Sequence, residues 1–518
     1  MKKVISFILL FCMVAVMLVA CTPATQTGGT TTPEATQPNT PSTPTGTTGP
    51  TDTGSGNTPS KLDKDNTTAN YGGESIRILA WEDASYLEFE YSENDQGMKS
   101  INDAIRRRNN TVQTNRGVSL EYTYAKGNYS NRETYINKAT QLDSGTPDQY
   151  IDIYAGYSQV TALLSTKGMC ANLLKLTSDD GLNFDYAWWP DTMLKEAVYQ
   201  NRLFICTGDI STNVLWWMMC LYFNKDLMED VDLDPTEPYK LVDKGEWTVD
   251  KFIEYCTESG VTNDSDSIKD NDDTFGYSCG NDIYLDAFQN GAGFRFLATD
   301  NKGNLALSNT FATQAEGQLH NKLREFLHGP DSAFWYNKKL PAVSEDPFLK
   351  GQALFTSNSA AYSHTLRLSD LADFTYGVLP NPKLNTAQQN YSTKLGAAHT
   401  EYAIGSSSTK KDKAAVVLQC MAAQSYIQIT PVLFDEAMKL RYSPEVDDAR
   451  MFDKLRESLC FDMGYNYNLS LSDYAWKLWR LPLGNDTAYL GPAQGAVRAV
   501  SVLIVELQRL LIAADKNA

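Results

Sequence analysis

The chain has 518 residues, with 45 basic and 63 acidic side chains and a formal net charge of −18. A chain this acidic, with no basic run beyond its first residues, argues against nucleic acid and against an anionic membrane surface as partners. Its length is too great for one hydrophobic core, so we expect two or three compact lobes.

The N-terminus has the pattern of a secretory signal. Two lysines precede an apolar run over 4–18, and a small residue stands immediately before Cys21. The run is shorter than the roughly 20 residues that span a bilayer. Residues 18–21 resemble the bacterial lipoprotein signal, in which the cysteine is lipidated and becomes the new N-terminus. We therefore predict a signal peptide over 1–20 and a lipid anchor on Cys21, which would hold the protein on the extracellular face of a bacterial cell membrane.

Residues 21–70 are rich in Thr, Pro and Gly and have almost no apolar side chains. Such a segment cannot bury enough surface to offset the entropy of ordering it. We therefore predict a disordered tether that holds a folded body away from the membrane, with the body beginning near Tyr71.

The body alternates strand-like and helix-like patterns. Strands are predicted at 75–81, 117–125 and 150–157, and helices at 101–110, 132–145 and 159–168. This alternation predicts a parallel sheet with helices on both faces. Ligands bind beyond the carboxyl ends of the strands in such sheets, which directs attention to Trp81 and Tyr157.

The stretch VLWWMMCLYF, over 214–223, is half the length of a membrane span. Its β-branched and aromatic residues favour a buried strand, and Asn224 supplies the acceptor side chain that starts a following helix. Adjacent residues of a strand face opposite sides, so Trp216 and Trp217 cannot both enter one core layer. Which of the two faces a ligand stays open.

The body contains an odd number of cysteines and no C-x-x-C, so we predict buried thiols rather than a zinc or redox site. Residues 276–280 match the G-x-S-x-G pattern of hydrolases, but an acidic, polar stretch precedes them where a nucleophile elbow needs a hydrophobic strand. We interpret this match as chance and predict no catalytic residues.

A secreted glycoside hydrolase stays an alternative because two carboxylates suffice for it. A surface adhesion lipoprotein is a further alternative.

Several segments, in order along the body, resemble family 1 extracellular solute-binding proteins of ABC transporters, the maltodextrin-binding-like group. They are SGTPDQYIDIYAG, KGMCANLLKL, LYFNKDL with GEWTVDKFIEYC, FLKGQALFTSNSAAY, FTYGVLPNPK and YAIGSSSTKKDKAAVVLQCMAAQ. The resemblance implies an α/β, two-lobed periplasmic-binding-protein-like fold with a ligand cleft between the lobes and crossing hinge strands. It implies a first lobe from 71–208 with about 395–440, and a second from about 213–390 with 441–518.

The resemblance also implies a monomeric receptor that captures a small molecule and delivers it to the permease subunits of an ABC importer. A carbohydrate, in particular an oligosaccharide, suits a body rich in Tyr and Trp, whose flat rings carry a polar edge. No cofactor or metal is predicted; the acidic loop over 264–273 lacks the spacing of a calcium-binding loop, and whether a metal binds there stays open.

Candidate ligand contacts come from both halves of the body. Trp81 and Tyr157 end predicted strands, and the large ring of Trp81, followed by two acids, is awkward to bury. Asp209 lies where the chain is expected to cross between lobes, and its carboxylate can accept two sugar hydroxyls. The remaining candidates lie in the crossing segment and the second lobe: Trp217, Trp335, Asn358 and Tyr362.

Overall fold

The computed structural model describes residues 69–95, 97–178, 181–258, 270–329, 334–336, 346–369, 372–443 and 445–517. The predicted signal peptide, Cys21 and nearly all of the predicted tether lie outside these residues, as do residues 264–269 of the acidic loop.

The described strands are β1 (Glu74–Trp81), β2 (Val118–Ala125), β3 (Ile153–Tyr157), β4 (Met219–Asn224), β5 (Phe275–Cys279), β6 (Leu297–Thr299), β7 (Leu305–Leu307), β8 (Phe334–Tyr336), β9 (Ala353–Ser359), β10 (Tyr376–Leu379), β11 (Thr393–Lys394), β12 (Thr400–Ile404) and β13 (Leu459–Cys460). The described α-helices are α1 (Lys99–Arg116), α2 (Arg132–Asp143), α3 (Ser158–Thr166), α4 (Asp191–Ala197), α5 (Thr212–Trp216), α6 (Lys225–Asp230), α7 (Glu237–Lys244), α8 (Val249–Glu258), α9 (Asp286–Gly291), α10 (Gln314–His328), α11 (Tyr362–Leu368), α12 (Lys411–Gln428), α13 (Val446–Glu457), α14 (Met463–Asn466), α15 (Tyr474–Gly484) and α16 (Leu490–Asn517). A π-helix covers Pro431–Arg441, and short 3-10 turns cover Tyr129–Asn131, Leu173–Leu176 and Asp282–Leu285.

The first sheet has the strand order β12-β3-β1-β2. β1 pairs in parallel with β2 and β3, whereas β12, from much later in the chain, pairs antiparallel with β3. Helices α1, α2, α3 and α12 pack against these strands, so β1 and β3 are almost entirely buried. The predicted parallel sheet is confirmed for its first three strands, and the antiparallel fourth strand is an addition.

The second sheet has the strand order β10-β4-β9-β5-β8. β4 pairs antiparallel with β10 and β9, whereas β5 pairs in parallel with β9 and β8. Aromatic rings fill the core beside it: Phe252 of α8 lies 5.3 Å from Tyr277 and 5.6 Å from Phe355, between ring centroids. The two sheets with their helices make the two-lobed α/β fold that the sequence implied.

The stretch VLWWMMCLYF is divided between two elements. Its first residues end helix α5, and strand β4 begins only after a break. The prediction of one buried strand over 214–223 is therefore wrong for its first part. The backbone N–H and side chain of Asn213 both donate to the buried Glu88, which holds the chain in a helical turn. The predicted helix start is confirmed, since Asn224 Oδ1 accepts a 2.9 Å hydrogen bond from the N–H of Leu227.

Three segments form the junction between the two sheets: 206–218, 393–402 and 458–466. A β-bridge joins Met218 to Leu395, and β11 pairs in parallel with β13. The chain thus passes between the two sheets through short segments that these bridges join.

The C-terminal helix α16 packs against elements of both lobes. It contacts α3, which covers the first sheet, and also α10 and the hairpin strand β7. Asp515, near its end, pairs with Lys175 at 2.7 Å and with Arg202 at 3.2 Å. The assignment of 441–518 to the second lobe remains a prediction, as do the other lobe boundaries.

The continuous helical segment Lys411–Arg441 is long and apolar enough to cross a membrane by composition, but 67% of its most apolar window is buried within the protein. It packs on α1 and serves as a core helix. The seven cysteines of the body are all buried free thiols, as predicted.

Candidate ligand-binding site

The carboxyl ends of β1 and β3 form the first wall of the candidate site. Trp81 is only 1% exposed, and its Nε1 donates a 2.8 Å hydrogen bond to Thr400 Oγ1 of β12. Its ring meets that of Tyr157 edge-to-face at a centroid distance of 5.6 Å. The expectation that Trp81 is awkward to bury is wrong, because Thr400 satisfies the indole N–H inside the core. Glu82 is the exposed residue at this strand end.

Trp216 and Trp217 lie in different surroundings. Trp216 is fully buried and stacks on Tyr86 at a centroid distance of 4.8 Å. Trp217 is half-buried, and its ring lies so close to Gly396 that a Cβ there would come within 2.9 Å of it. Among the described residues neither Nε1 has a hydrogen-bond partner. Both indole N–H groups are buried, so it is the partly exposed ring of Trp217 that makes it the better candidate for a ligand contact.

The second wall comes from the turn after β5 and from α11. Tyr284 is half-buried; burial raises its pKa, and Tyr86 of the first lobe lies close enough to contribute to the shift. Tyr362 donates a 2.6 Å hydrogen bond to Asp346 Oδ2, and burial raises the pKa of that carboxyl. Tyr284 is therefore near enough to both Tyr86 and Tyr362 to interact with them electrostatically.

The third wall is helix α15, which the sequence patterns did not indicate. Arg480 donates two hydrogen bonds to the buried Asp286, of which the one from Nε is 3.1 Å long. Its guanidinium lies 5.1 Å from the ring centre of the half-buried Trp476. Burial raises the pKa of Tyr157, and Arg480 is close enough to oppose part of this shift. Helix α15 therefore packs on the 3-10 turn Asp282–Leu285, and its Arg480 is near enough to Tyr157 of the first wall to interact with it electrostatically.

A hydrogen bond joins the first and third walls directly. Tyr129 OH donates to Asp473 Oδ2 at 3.2 Å, immediately before α15 begins. Asp83, two residues beyond β1, accepts a 2.7 Å hydrogen bond from the N–H of Gly127 and a 2.9 Å hydrogen bond from Asn131 Nδ2. The end of β1 thus holds the loop that carries Tyr129.

A signal for Trp476 does exist in the sequence YAWKLWRL. Trp476 and Trp479 are three residues apart, so they share one side of a helix. Trp479 is fully buried and donates to the carbonyl of Leu285, whereas Trp476 lies at the edge of that side and keeps part of its ring exposed. A tryptophan at the border of an apolar helix face is the pattern that would have indicated it.

The remaining predicted contacts are not brought to one place. Asp209 is 8% exposed, and both its oxygens accept hydrogen bonds from Arg456 Nη2, at 2.9 and 2.8 Å. Asn358 is half-buried in β9, and its Oδ1 accepts a hydrogen bond from the N–H of Ser359. Trp335 lies in the edge strand β8, and its side chain is outside the description. For all the predicted contacts, a role in ligand binding stays a prediction.

Ser278 of the G-x-S-x-G match lies inside strand β5 and is 1% exposed. A nucleophile elbow would need this serine at a sharp turn between a strand and a helix. Among the described residues, no group of three or more His, Cys, Asp or Glu side chains could hold a metal ion.

No family model matches the sequence, and no match was found among curated proteins. Solved structures do match. An ABC substrate-binding protein from Listeria monocytogenes in complex with cycloalternan is 12% identical with a TM-score of 0.51, covering 84% of this chain and 99% of that one. A cyclic alpha-maltosyl-1,6-maltose binding protein from Arthrobacter globiformis is 13% identical with a TM-score of 0.53, covering 84% and 99%.

A third match, UgpB from Mycobacterium tuberculosis in complex with glycerophosphocholine, is 15% identical with a TM-score of 0.51, covering 85% of this chain and 98% of that one. At such identities the likeness concerns the fold alone, but it extends over nearly the whole of each solved chain. The chain therefore has the two-lobed α/β fold of the substrate-binding proteins of ABC transporters.

Proposed function

We propose that this protein is an extracellular solute-binding protein that captures a carbohydrate, in particular an oligosaccharide, and delivers it to the permease subunits of an ABC importer. The observation that carries the proposal is the presence of half-buried aromatic rings on three separate elements of a fold shared with ABC substrate-binding proteins. Trp217 comes from the junction, Tyr284 from the second lobe and Trp476 from α15. Flat rings with a polar edge suit the apolar C–H faces and hydroxyl rim of a sugar.

The mechanism is binding coupled to bending of the junction. An open form admits the ligand between the first wall and α15, and closure adds the contacts of the opposite lobe and excludes water. The ligand shifts this equilibrium only by its difference in affinity for the two forms. Trp217 Nε1 is a buried donor without a partner among the described residues, so a movement of the junction that exposes it would let it donate to a ligand hydroxyl.

The anchor belongs to the same proposal. A lipid on Cys21 and a tether over 21–70 would keep the cleft within reach of a membrane-bound permease while leaving the body free to rotate. The solved neighbours named above are described as binding proteins, which favours a receptor over the alternative of a glycoside hydrolase. The glycerophosphocholine complex keeps phosphodiesters of polyols among the ligands to test.

A thermal-shift screen of the mature chain carrying Cys21→Ser tests the proposal. The panel contains oligosaccharides, monosaccharides, polyols, glycerophosphodiesters and short peptides. A ligand at a hundred times its dissociation constant adds about 2.7 kcal/mol to the free energy of unfolding. We expect a shift with one class of oligosaccharide and no reaction product afterwards. Cleavage of the sugar would show that the protein is a hydrolase. A rise in unfolding temperature with peptides alone would contradict a carbohydrate ligand.

A further inference from the structure

Exposed aromatic rings are confined to one patch of the described surface. Tyr91 is 46% exposed and Tyr124 is 40% exposed, and every other strongly exposed large apolar side chain among the described residues is aliphatic. Both tyrosines lie beside Glu90, since Tyr91 follows it in the chain and Tyr124 donates a 2.5 Å hydrogen bond to its Oε2. We call Tyr91, Tyr124 and Glu90 the rim patch.

The rim patch lies at the cleft end of the first sheet. Tyr124 belongs to β2, the edge strand, and is in register with Ala80, one residue before β1 ends. Tyr122 projects from the same face two residues earlier, with its ring 6.1 Å from that of Tyr124 and nearly parallel to it. The exposed ring of Tyr124 is therefore fixed in orientation by its neighbour.

One loop, over 82–98, connects the cleft to the rim patch. It leaves Trp81, passes Tyr86, which stacks on Trp216, and reaches Tyr91 on the outside. The guanidinium of Arg106 covers one face of the Tyr91 ring at 5.1 Å from its centre. Aromatic side chains thus follow a single loop from the junction to the surface.

Buried hydrogen bonds hold this loop in place. Glu88 is 2% exposed; its Oε2 accepts from Asn213 Nδ2 at 2.7 Å, and its Oε1 accepts from the hydroxyl of Tyr402 at 2.7 Å. Asn109 Nδ2 donates a 2.6 Å hydrogen bond to the carbonyl of Phe89. A surface fixed in this way loses little conformational entropy when a ligand stacks on it.

We propose that the rim patch is an outer stacking site for that part of a long saccharide that extends beyond the cleft. The proposal rests on the function proposed above, and it adds that the ligand is a chain longer than the cleft. The free faces of Tyr91 and Tyr124 would receive the C–H faces of sugar rings. Glu90 and the hydroxyl of Tyr124 would bind hydroxyl groups at the ring edges.

The charges of the patch favour a neutral chain. Arg106, which lies against Tyr91, is already paired with Asp103 at 3.0 Å. Arg108 is buried and donates to the carbonyls of Glu88 and Phe89. Glu90 adds a carboxylate, so an anionic chain would find no free positive charge there. A protein partner would be better served by the exposed aliphatic residues elsewhere, such as Leu368 and Leu440, which have no polar groups to satisfy.

The test measures affinity against chain length. A series of one neutral oligosaccharide, from the shortest that binds to one several units longer, is titrated by calorimetry into the mature chain and into the double variant Tyr91→Ala, Tyr124→Ala. We expect the wild type to bind the longer chains more tightly. We expect the double variant to lose about tenfold in affinity for the longest chain, and to keep its affinity for the shortest.

The matched control is Val502→Ala with Val505→Ala, which removes exposed apolar side chains of 63% and 65% exposure outside the patch. It should leave affinity unchanged at every length. Unchanged affinity of the double variant for the longest chain would overturn the rim site and leave the proposed function standing. So would an equal loss at every length, which would assign the tyrosines to the cleft. Absence of binding of any saccharide to the wild type would instead reject the proposed function.

Discussion

The first wall of the cleft and the wall formed by α15 hold their aromatic rings in different ways. In the first wall, Trp81 is held by a neutral hydrogen bond to Thr400, inside the core. At α15, Trp476 keeps part of its ring exposed, and the neighbouring Arg480 is paired with Asp286. The first wall is thus part of the hydrophobic core, whereas the α15 wall depends on a charged pair. Substitutions in the first wall should unfold the protein, and substitution of the exposed ring at α15 should reduce ligand affinity without unfolding it.

The largest expected effect is that of Trp81→Ala. Removing a fully buried indole leaves a cavity and takes away the donor that Thr400 Oγ1 accepts from, so we expect the free energy of unfolding to fall by about 3–5 kcal/mol. Trp81→Phe keeps most of the volume and loses only the hydrogen bond, and it should cost about 1–2 kcal/mol. Urea unfolding measures both. A fully stable Trp81→Ala protein that had lost only ligand affinity would assign Trp81 to the cleft instead of the core.

The next effect concerns the pair at α15. Arg480→Met leaves the carboxylate of Asp286 buried without its partner, which should cost about 3 kcal/mol. Asp286→Asn in the same chain should restore much of this loss, because no buried charge is left unpaired. A double-mutant cycle measured by urea unfolding checks the coupling. Additive losses in the double variant would mean that the two side chains do not depend on each other.

The position of the first wall could be predicted from the sequence because it follows from a periodic pattern. Alternating strands and helices predict a parallel sheet, and a parallel sheet puts Trp81 and Tyr157 at one edge. The burial of Trp81 could not be predicted, because it depends on a hydrogen bond to Thr400. Thr400 lies more than 300 residues away, in a strand that pairs antiparallel with β3. Local pattern does not indicate such a long-range partner.

The helical turn at Trp216 and the wall formed by α15 were missed for related reasons. Asn213 stabilises the turn by donating to Glu88, far away in the chain, while local composition favours a strand. Trp476 lies in a helix whose contacts with the second lobe are all long-range. Asp209 was identified as a carboxylate near the crossing, but its partner Arg456 comes from α13. The sequence therefore indicated most helices and strands, but it did not indicate the long-range hydrogen-bond and ion-pair partners of these residues.

The junction contains a buried carboxyl group, that of Glu401, which should make the stability of the protein depend on pH. Burial raises the pKa of Glu401 well above its usual value, and the carboxyl accepts a hydrogen bond from Asn466. His399 Nε2 lies 3.9 Å from it, with a pKa lowered by burial to about 4. A raised carboxyl pKa stabilises the fold fully below the unfolded value near 4.5, and this contribution is lost as pH rises towards the folded pKa.

Glu401→Gln should therefore change the dependence of stability on pH. Between pH 5 and pH 8 the free energy of unfolding should fall less, or rise more, in this variant than in the wild type. The contribution of His399, which has the opposite sign and grows as pH rises towards 6.5, is present in both. Glu82→Gln, at an exposed carboxyl, is the matched control and should leave the profile unchanged. An identical profile for Glu401→Gln and the wild type would remove Glu401 as the cause.

Trp476→Ala tests the exposed ring at α15. Because the ring is half-buried, we expect a stability loss of no more than about 1 kcal/mol. Ligand affinity should fall about tenfold through loss of a stacking face, and Trp476→Phe should recover most of it. Calorimetry with the ligand found by the screen measures this. Equal affinities for the wild type and Trp476→Ala would take α15 out of the binding site.

The smallest expected effects on ligand affinity concern the pair of Asp209 and Arg456. If its only role is the pair with Arg456, then Arg456→Met should reduce stability by about 3 kcal/mol, because it leaves a buried carboxylate unpaired, and Asp209→Asn by about 1 kcal/mol. Both changes should then alter ligand affinity less than about threefold. If closure moves Arg456 away and the carboxylate then accepts ligand hydroxyls, Asp209→Asn alone should weaken binding. Arg456→Met would in that case leave affinity unchanged or strengthen it, because the carboxylate no longer has to exchange partners. Comparing the two affinities therefore decides whether Asp209 belongs to the cleft or to the junction.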